Sequence, residues 1–278
     1  MSAAQILDGN ACAATIKTEI ATRVGALPRK PGLGTILVGD DPGSQAYVNG
    51  KHRDCAEVGI SSIRIDLPAT AKQSDLLAAI DELNTADECT GYIVQLPLPA
   101  HINTESILNA IDPDKDADGL HPINLGKLVL GQAAPRPCTP RAIVELLARN
   151  QITLDGKNVT IIGRGLTVGK PLAILLSSRE VNATVTTVHT GTLDISRHTR
   201  NADVVVAALG KPHFLTADLV KAGVIAIDVG ITRTSQGLVG DLHPDIESVA
   251  SAITPMPGGI GPMTRAMLLS NLLDIAGR

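Results

Sequence analysis

The stretch Asn158-Val159-Thr160-Ile161-Ile162-Gly163-Arg164-Gly165-Leu166-Thr167-Val168-Gly169-Lys170-Pro171-Leu172-Ala173 decides the fold class. Its first five residues read as a buried strand. The glycines that follow, spaced G-x-G-x-x-x-G, let the backbone approach a pyrophosphate while the next helix points its N-terminus at the anion. An ordinary tight turn uses the same residue types. The context favours a nucleotide site, because strand, loop and helix come in the required order and apolar strands recur at Thr184 to Val188, Val204 to Ala208 and Val224 to Val229.

The end of the second of these strands speaks to the cofactor. NAD sites usually place an acid there for the ribose hydroxyls, but the chain reads Val188-His189-Thr190-Gly191-Thr192, with no carboxylate before Asp194. Two hydroxyls and the cation of Arg164 suit a 2′-phosphate, so NADP is expected over NAD. The threonines also fit a simple turn cap. His189, lacking a partner at metal spacing, reads as a loop or buried histidine.

The same rhythm runs upstream. Gly34 to Val38 is extended, Gly39 to Gly43 turns, and a helix opens at Ser44 and runs towards Gly59. Ile63 to Leu67 follows, then a helix from Ser74 with Leu77, Ile80 and Leu83 on one face, then the strand Gly91 to Gln95. Alternation of this kind builds a parallel sheet covered by helices. Pro113 to Pro140, rich in Asp, Gly and Pro, interrupts it. The expected organisation is α/β in two domains: residues 1–138 with 264–278, and a Rossmann-type domain of residues 139–263 with a central parallel sheet.

Composition narrows the function classes. Of 278 residues 44% are hydrophobic, yet only Tyr47, Tyr92 and Phe214 are aromatic and tryptophan is absent, so no stacking platform for single-stranded nucleic acid is available. The net charge of −4 argues against a polyanion surface. No apolar run reaches the roughly 18 residues of a membrane span, and Met1 to Asn10 lacks the basic and apolar segments of a secretory signal. Cys12, Cys55, Cys89 and Cys138 are too scattered for a zinc or redox motif and read as buried small hydrophobes. A soluble cytoplasmic protein without a metal site is expected.

Three further clusters carry chemistry. In Ser44-Gln45-Ala46-Tyr47-Val48-Asn49-Gly50-Lys51 the tyrosine and lysine lie four apart and share a helix face. Such a lysine is ordinarily solvated; desolvated in a cleft it becomes a proton-transfer group, given a polar neighbour such as Gln95 at the carboxyl edge of its strand. Asp112 to Pro122 is dense in carboxylates without the spacing of a calcium loop; a solvated turn is its common outcome, with room for one buried acid. Thr254 to Thr264, with three prolines and three glycines, reads as a shaped loop lining a pocket, after which Thr264 caps a last apolar helix from Met267 to Ile275.

Taken together these residues resemble the bifunctional methylenetetrahydrofolate dehydrogenase/cyclohydrolases. The likeness rests on Val38-Gly39-Asp40-Asp41-Pro42 with Ser44, Tyr47 and Lys51, on Val94-Gln95-Leu96-Pro97-Leu98-Pro99, and on Lys115-Asp116-Ala117-Asp118-Gly119. Pro137-Cys138-Thr139-Pro140, the Gly163 to Pro171 loop and Pro257 to Thr264 complete it over nearly the whole chain. The resemblance implies a folate-binding domain and an NADP-binding domain with the active site in a cleft between them, in a cytoplasmic homodimer. It implies oxidation of 5,10-methylenetetrahydrofolate by NADP and hydrolysis of the methenyl product to 10-formyltetrahydrofolate, a one-carbon donor of purine biosynthesis. By the same resemblance Lys51 is the main acid/base group, Gln95 and Tyr47 tune it, and Asp118, Gly259 and Pro262 meet the folate. Gly163, Arg164, Gly165, Thr190 and Ile231 match cofactor positions. Many members carry Ser where this chain has Gly165, which here removes a hydroxyl near the cofactor.

Two other readings fit less well. Short-chain alcohol dehydrogenases also pair Tyr with Lys four residues on, but there the glycine loop precedes the pair in the chain. A non-catalytic NADP sensor would keep Gly163 to Gly169 without needing Lys51, Gln95 and Asp118 together. Tyr92 and Phe214 read as packing residues, which leaves Tyr47 as the flat partner for a pterin or aminobenzoyl ring.

Overall fold

The computed structural model describes residues 3–235 and 237–277; positions 1, 2, 236 and 278 lie outside the described residues. Along the chain the strands are β1 (Gln5–Ile6), β2 (Gly32–Val38), β3 (Ser61–Leu67), β4 (Gly91–Val94), β5 (Asn158–Ile162), β6 (Thr184–Val188), β7 (Val204–Ala207), β8 (Ile225–Asp228), β9 (Thr232–Thr234), β10 (Gly237–Val239) and β11 (Ala252–Ile253). Two compact units result, one built from the segment ending at Ala13 with Thr139–Thr264, the other from Ala14–Cys138 with the chain from Arg265 onward.

In the Ala14–Cys138 unit the sheet order is β3-β2-β4, all parallel. β2 lies in the middle and is buried at every position, which is why its sequence is a continuous apolar run without alternation. β3, at the edge, alternates exposed and half-buried residues. The helix Pro42–Val58 packs on β2 and β3. Its cap is Asp41, whose carboxylate accepts from Ser44 N at 2.7 Å, so Ser44 lies inside the first turn rather than capping it. Gly59, at φ 79°, ends it in the left-handed conformation. The core gathers Ile36, Leu76, Ile80, Leu83, Tyr92 and Ile107, and the Tyr92 hydroxyl donates to Asn84 Oδ1 at 2.7 Å. The stretch expected as a plain interruption contains the short helix Pro122–Val129, capped by His121 Nδ1 accepting from Ile123 N at 3.1 Å.

The other unit holds a six-stranded sheet in the order β1-β11-β8-β7-β5-β6, parallel throughout. β5 lies between β6 and β7, so the strand order reverses beside it, the arrangement of a Rossmann-type sheet. β7 is buried along its length and β5 in all but its first residue. The expected domain boundaries need correction at both ends. Residues 3–13 belong to this unit, because β1 pairs in register with β11 (Gln5 with Ala252, Ile6 with Ile253); a two-residue strand carries no periodicity to read. Thr264 also belongs here, and it does not cap a helix: the last helix spans Ile260–Ala276, and the Thr264 hydroxyl donates back to Ile260 O at 3.0 Å. Pro262 fits the first turn of that helix, where no intrahelical N–H bond is lost.

Gly163 follows β5 directly at φ 131°, and a Cβ there would collide with Ala208 O. Gly163→Ala is expected to cost about 1–3 kcal/mol through strain and collision. A urea titration with an unchanged midpoint would contradict this.

Candidate active site

The Ala14–Cys138 unit brings Tyr47, Lys51 and Gln95 together. Lys51, on the buried face of the Pro42–Val58 helix, is only 6% exposed. Its Nζ donates to Gln95 Oε1 at 2.9 Å and lies 4.8 Å from the centroid of the Tyr47 ring. Gln95 stands just past the end of β4, with its backbone N–H on Ile36 O, and its Nε2 donates to Leu96 O at 2.7 Å. That second bond fixes which end of the amide faces the lysine, so Gln95 presents an acceptor. Burial lowers the Lys51 ammonium well below its ordinary range, aided by the Arg265 cation and opposed by the carboxylate of Asp118. Arg265 is held in place by Asp54, one turn beyond Lys51, through a 2.6 Å ion pair.

Asp118 comes from the acidic loop, whose carboxylates have separate tasks. Asp112 accepts from Asp114 N at 2.9 Å. Asp116 is buried and accepts from Gly119 N, His121 N and Asn124 Nδ2 at 3.0, 2.8 and 2.9 Å, which fixes the loop. Lys115 Nζ donates to Leu83 O and Ala86 O, closing the end of the Gln73–Thr85 helix. This leaves Asp118 as the acid beside Lys51. Burial raises its carboxyl, against the lowering effects of Lys51 and of a hydrogen bond with Cys138. Cys138 also accepts from Asn271 Nδ2 at 3.4 Å. Its thiol is buried as its residue type suggests, but its place beside Asp118 is a tertiary fact that spacing does not carry; Cys12 alone among the four cysteines is partly exposed.

The other unit carries Gly163, Arg164, Gly165, Thr190, Ile231, Gly259 and Pro262. The first four cluster at the carboxyl edge of β5 and β6. Gly163 N donates to Val188 O at 2.8 Å, and Gly169 packs on the Gly163 carbonyl, so the glycine loop folds back on itself as a phosphate cradle requires. Gly165 has no described atom within 4 Å of where its Cβ would stand, which leaves open space over the loop. Arg164 Nη1 lies 3.3 Å from His189 Nε2. Gly191 N donates to His189 Nδ1 at 3.0 Å. The Arg164 guanidinium thus stands beside the glycine loop, where its planar donors suit an anion. His189, read from sequence as a loop or buried residue, lies half-buried in a loop beside Arg164. Thr190 is exposed beside them, while Thr192 takes the turn, its hydroxyl accepting from His189 N at 3.0 Å. Ile231 is exposed just past β8. Gly259 is buried, with Pro255 O 2.6 Å from where its Cβ would be, and Pro262 is partly buried. The glycine loop and Arg164 fit a phosphorylated dinucleotide: glycine backbone for a pyrophosphate, and the guanidinium for a further phosphate.

Residues 7–118 match the family model described as tetrahydrofolate dehydrogenase/cyclohydrolase, catalytic domain, and residues 137–278 match its NAD(P)-binding domain. The chain is 44% identical to a bifunctional methylenetetrahydrofolate dehydrogenase/cyclohydrolase from Campylobacter jejuni, with 99% of each chain covered and a TM-score of 0.95. It is 39% identical to a Trypanosoma brucei dehydrogenase-cyclohydrolase solved with NADP cofactor and inhibitor, covering 100% of this chain and 99% of that one at a TM-score of 0.94. A Thermoplasma acidophilum bifunctional enzyme is 32% identical, with 98% of each chain covered and a TM-score of 0.92.

The lowered Lys51 amine has a consequence for stability. The folded protein binds that proton more weakly than the unfolded chain, whose lysine titrates near 10.5. The penalty is therefore fully present below the folded value and fades as pH rises to 10.5. Lys51→Met is expected to melt higher than wild type at pH 7, with the gap closing towards pH 10.5. An equal or lower melting temperature at pH 7 would count against a costly buried ammonium.

Proposed function

Since the chain belongs to the tetrahydrofolate dehydrogenase/cyclohydrolase family, we propose that the buried Lys51–Gln95 pair is the proton-transfer centre of its two-step reaction. The enzyme oxidises 5,10-methylenetetrahydrofolate to the 5,10-methenyl form with NADP and hydrolyses that product to 10-formyltetrahydrofolate. NADP, when bound, accepts the hydride.

In the first step the carbon that loses hydride is flanked by two nitrogens, which share the positive charge left behind. Orientation then matters more than a strong base. In the second step water attacks the methenyl carbon. Its oxygen forms the new C–O bond as an O–H proton passes to the Lys51 amine, which its lowered affinity leaves able to accept it. The remaining O–H proton then leaves to solvent as the carbonyl forms, the bond from carbon to the pterin-ring nitrogen breaks with its electron pair going to that nitrogen, and Lys51 returns its proton there, leaving the formyl group on the other nitrogen. Gln95 Oε1 aims the amine by accepting one of its protons. Tyr47 supplies a flat face for a ring of the folate. Asp118 offers acceptor oxygens to the donor-rich aminopyrimidine edge of the pterin, and Gly259 and Pro262 line the folate path. For NADP, the backbone at Gly163 and Gly165 receives the pyrophosphate, Arg164 and Thr190 take the 2′-phosphate, and the backbone at Ile231 meets the nicotinamide end. The observation that carries this reading is the 2.9 Å bond between a desolvated lysine and an oriented glutamine. We further propose a cytoplasmic homodimer whose product feeds purine biosynthesis.

Lys51→Met is expected to slow methenyltetrahydrofolate hydrolysis by about 100-fold or more, as loss of a general acid/base does, followed by decay of methenyl absorbance. Unchanged hydrolysis would remove Lys51 from the mechanism. NADP is expected to support faster oxidation than NAD at equal concentration. Equal rates would defeat the assignment of Arg164 and Thr190.

A further inference from the structure

Asp228 and Asp241 form a buried carboxyl pair that neither proton transfer nor folate binding uses. Asp228 ends β8. Its Oδ1 accepts from Gly230 N at 3.1 Å and Asp241 N at 2.9 Å, its Oδ2 from Leu242 N at 3.0 Å, and its own N–H donates to Thr254 Oγ1 at 2.7 Å. Asp241 is fully buried, and its Oδ2 accepts from Leu209 N at 2.6 Å and Gly210 N at 3.0 Å. Its Oδ1 has no hydrogen-bond partner among the described residues and presses on Gly230, where a Cβ would overlap the carboxyl group. Burial and the neighbouring Asp241 push the Asp228 carboxyl up to about 6, partly offset by its N–H donors.

The segments so tied are the loops after β7 and β8, at the carboxyl edge where parallel sheets place their ligands. Leu209 and Gly210 follow Ala208, whose carbonyl stands against Gly163 in the phosphate loop. Gly230 precedes the exposed Ile231. The position of these strands in the sheet says which part of the dinucleotide they serve. β5 and β6, on one side of the strand-order reversal, serve the adenosine 2′-phosphate half. β7 and β8, on the other side, serve the second mononucleotide. A carboxylate that accepts from one loop with one oxygen and buttresses the other loop with its second sets the spacing of both.

We propose that Asp241 is a positioning residue for the nicotinamide half of the dinucleotide, clasping the 209–210 and 230–231 loops on either side of it. This rests on the NADP-linked reading above. Asp241→Ala leaves the Leu209 and Gly210 N–H groups without their acceptor and the Gly230 contact empty. The test compares wild type and variant by calorimetric binding of NADP and of adenosine 2′,5′-bisphosphate, which carries only the adenosine half. Hydrolysis of methenyltetrahydrofolate is measured on the same samples. The expected result is a Kd for NADP weakened about tenfold, with adenosine bisphosphate binding and hydrolysis within about twofold of wild type. Equal weakening of both ligands, or no weakening of either, overturns the proposal. If Asp241→Ala does not fold, Asp241→Asn keeps the volume and loses the charge. NADP must then weaken at least about threefold more than adenosine bisphosphate, and a smaller difference overturns the clasp. Wild-type protein without NADP-linked oxidation would sink the functional reading, whereas an active wild type with an unsplit variant sinks only the clasp.

Discussion

A lysine ammonium is expensive to take out of water, and the Ala14–Cys138 unit is arranged around having done so. Lys51 sits on the inner face of its helix because Asp41 and Pro42 fix where that helix begins, and Gln95 meets it because β4 lies beside β2. Neither neighbour restores full hydration, so the proton is held loosely. A lysine in water would hold its proton through the whole physiological range and be useless as a base. In the proposed mechanism, the burial that weakens the fold at this point is what suits the residue to proton transfer.

Much of this was legible in sequence, and the reasons are local. β5 and β6 have the bounds that their apolar runs suggest, because each is a short strand stopped by glycine or a polar turn. The shared face of Tyr47 and Lys51 followed from helical spacing alone, and the structure places the lysine over the ring. What stayed hidden depends on partners distant in sequence. β1 is two residues long and takes its identity only from β11. Spacing does not separate Asp112, Asp116 and Asp118; the family resemblance singles out Asp118, but the part Asp116 plays in fixing the loop depends on tertiary contacts. His189 is the loop residue its spacing suggests, but its contact with Arg164, 25 residues earlier, is not visible in the sequence. Asp228 and Asp241 carried no motif at all.

Both units solve one problem the same way. Loops at a functional edge must hold a shape without a strand neighbour, yet their backbone N–H groups still need acceptors. In each unit an aspartate side chain supplies them from within: Asp116 for the 119–121 turn, Asp228 and Asp241 for the segments around 209, 230 and 242. Buried carboxylates of this kind contribute little as isolated charges. Their effect is geometric, turning flexible connections into rigid ones where a ligand edge needs to be exact to a fraction of an ångström.

The pairing of β1 with β11 also bears on how the chain is made. Gln5 is synthesised long before its neighbour Ala252, so β1 stays unpaired until β11 has been made. The Ala14–Cys138 unit likewise lacks Arg265, the partner of Asp54, until the final helix appears. Until β11 is made, the six-stranded sheet lacks that strand and the pairing of β1, whereas the β3-β2-β4 sheet is drawn entirely from residues 32–94 and has all its strands much earlier. Contacts of such long range fold slowly, and the open strand edges they leave make the interval one of exposure to aggregation.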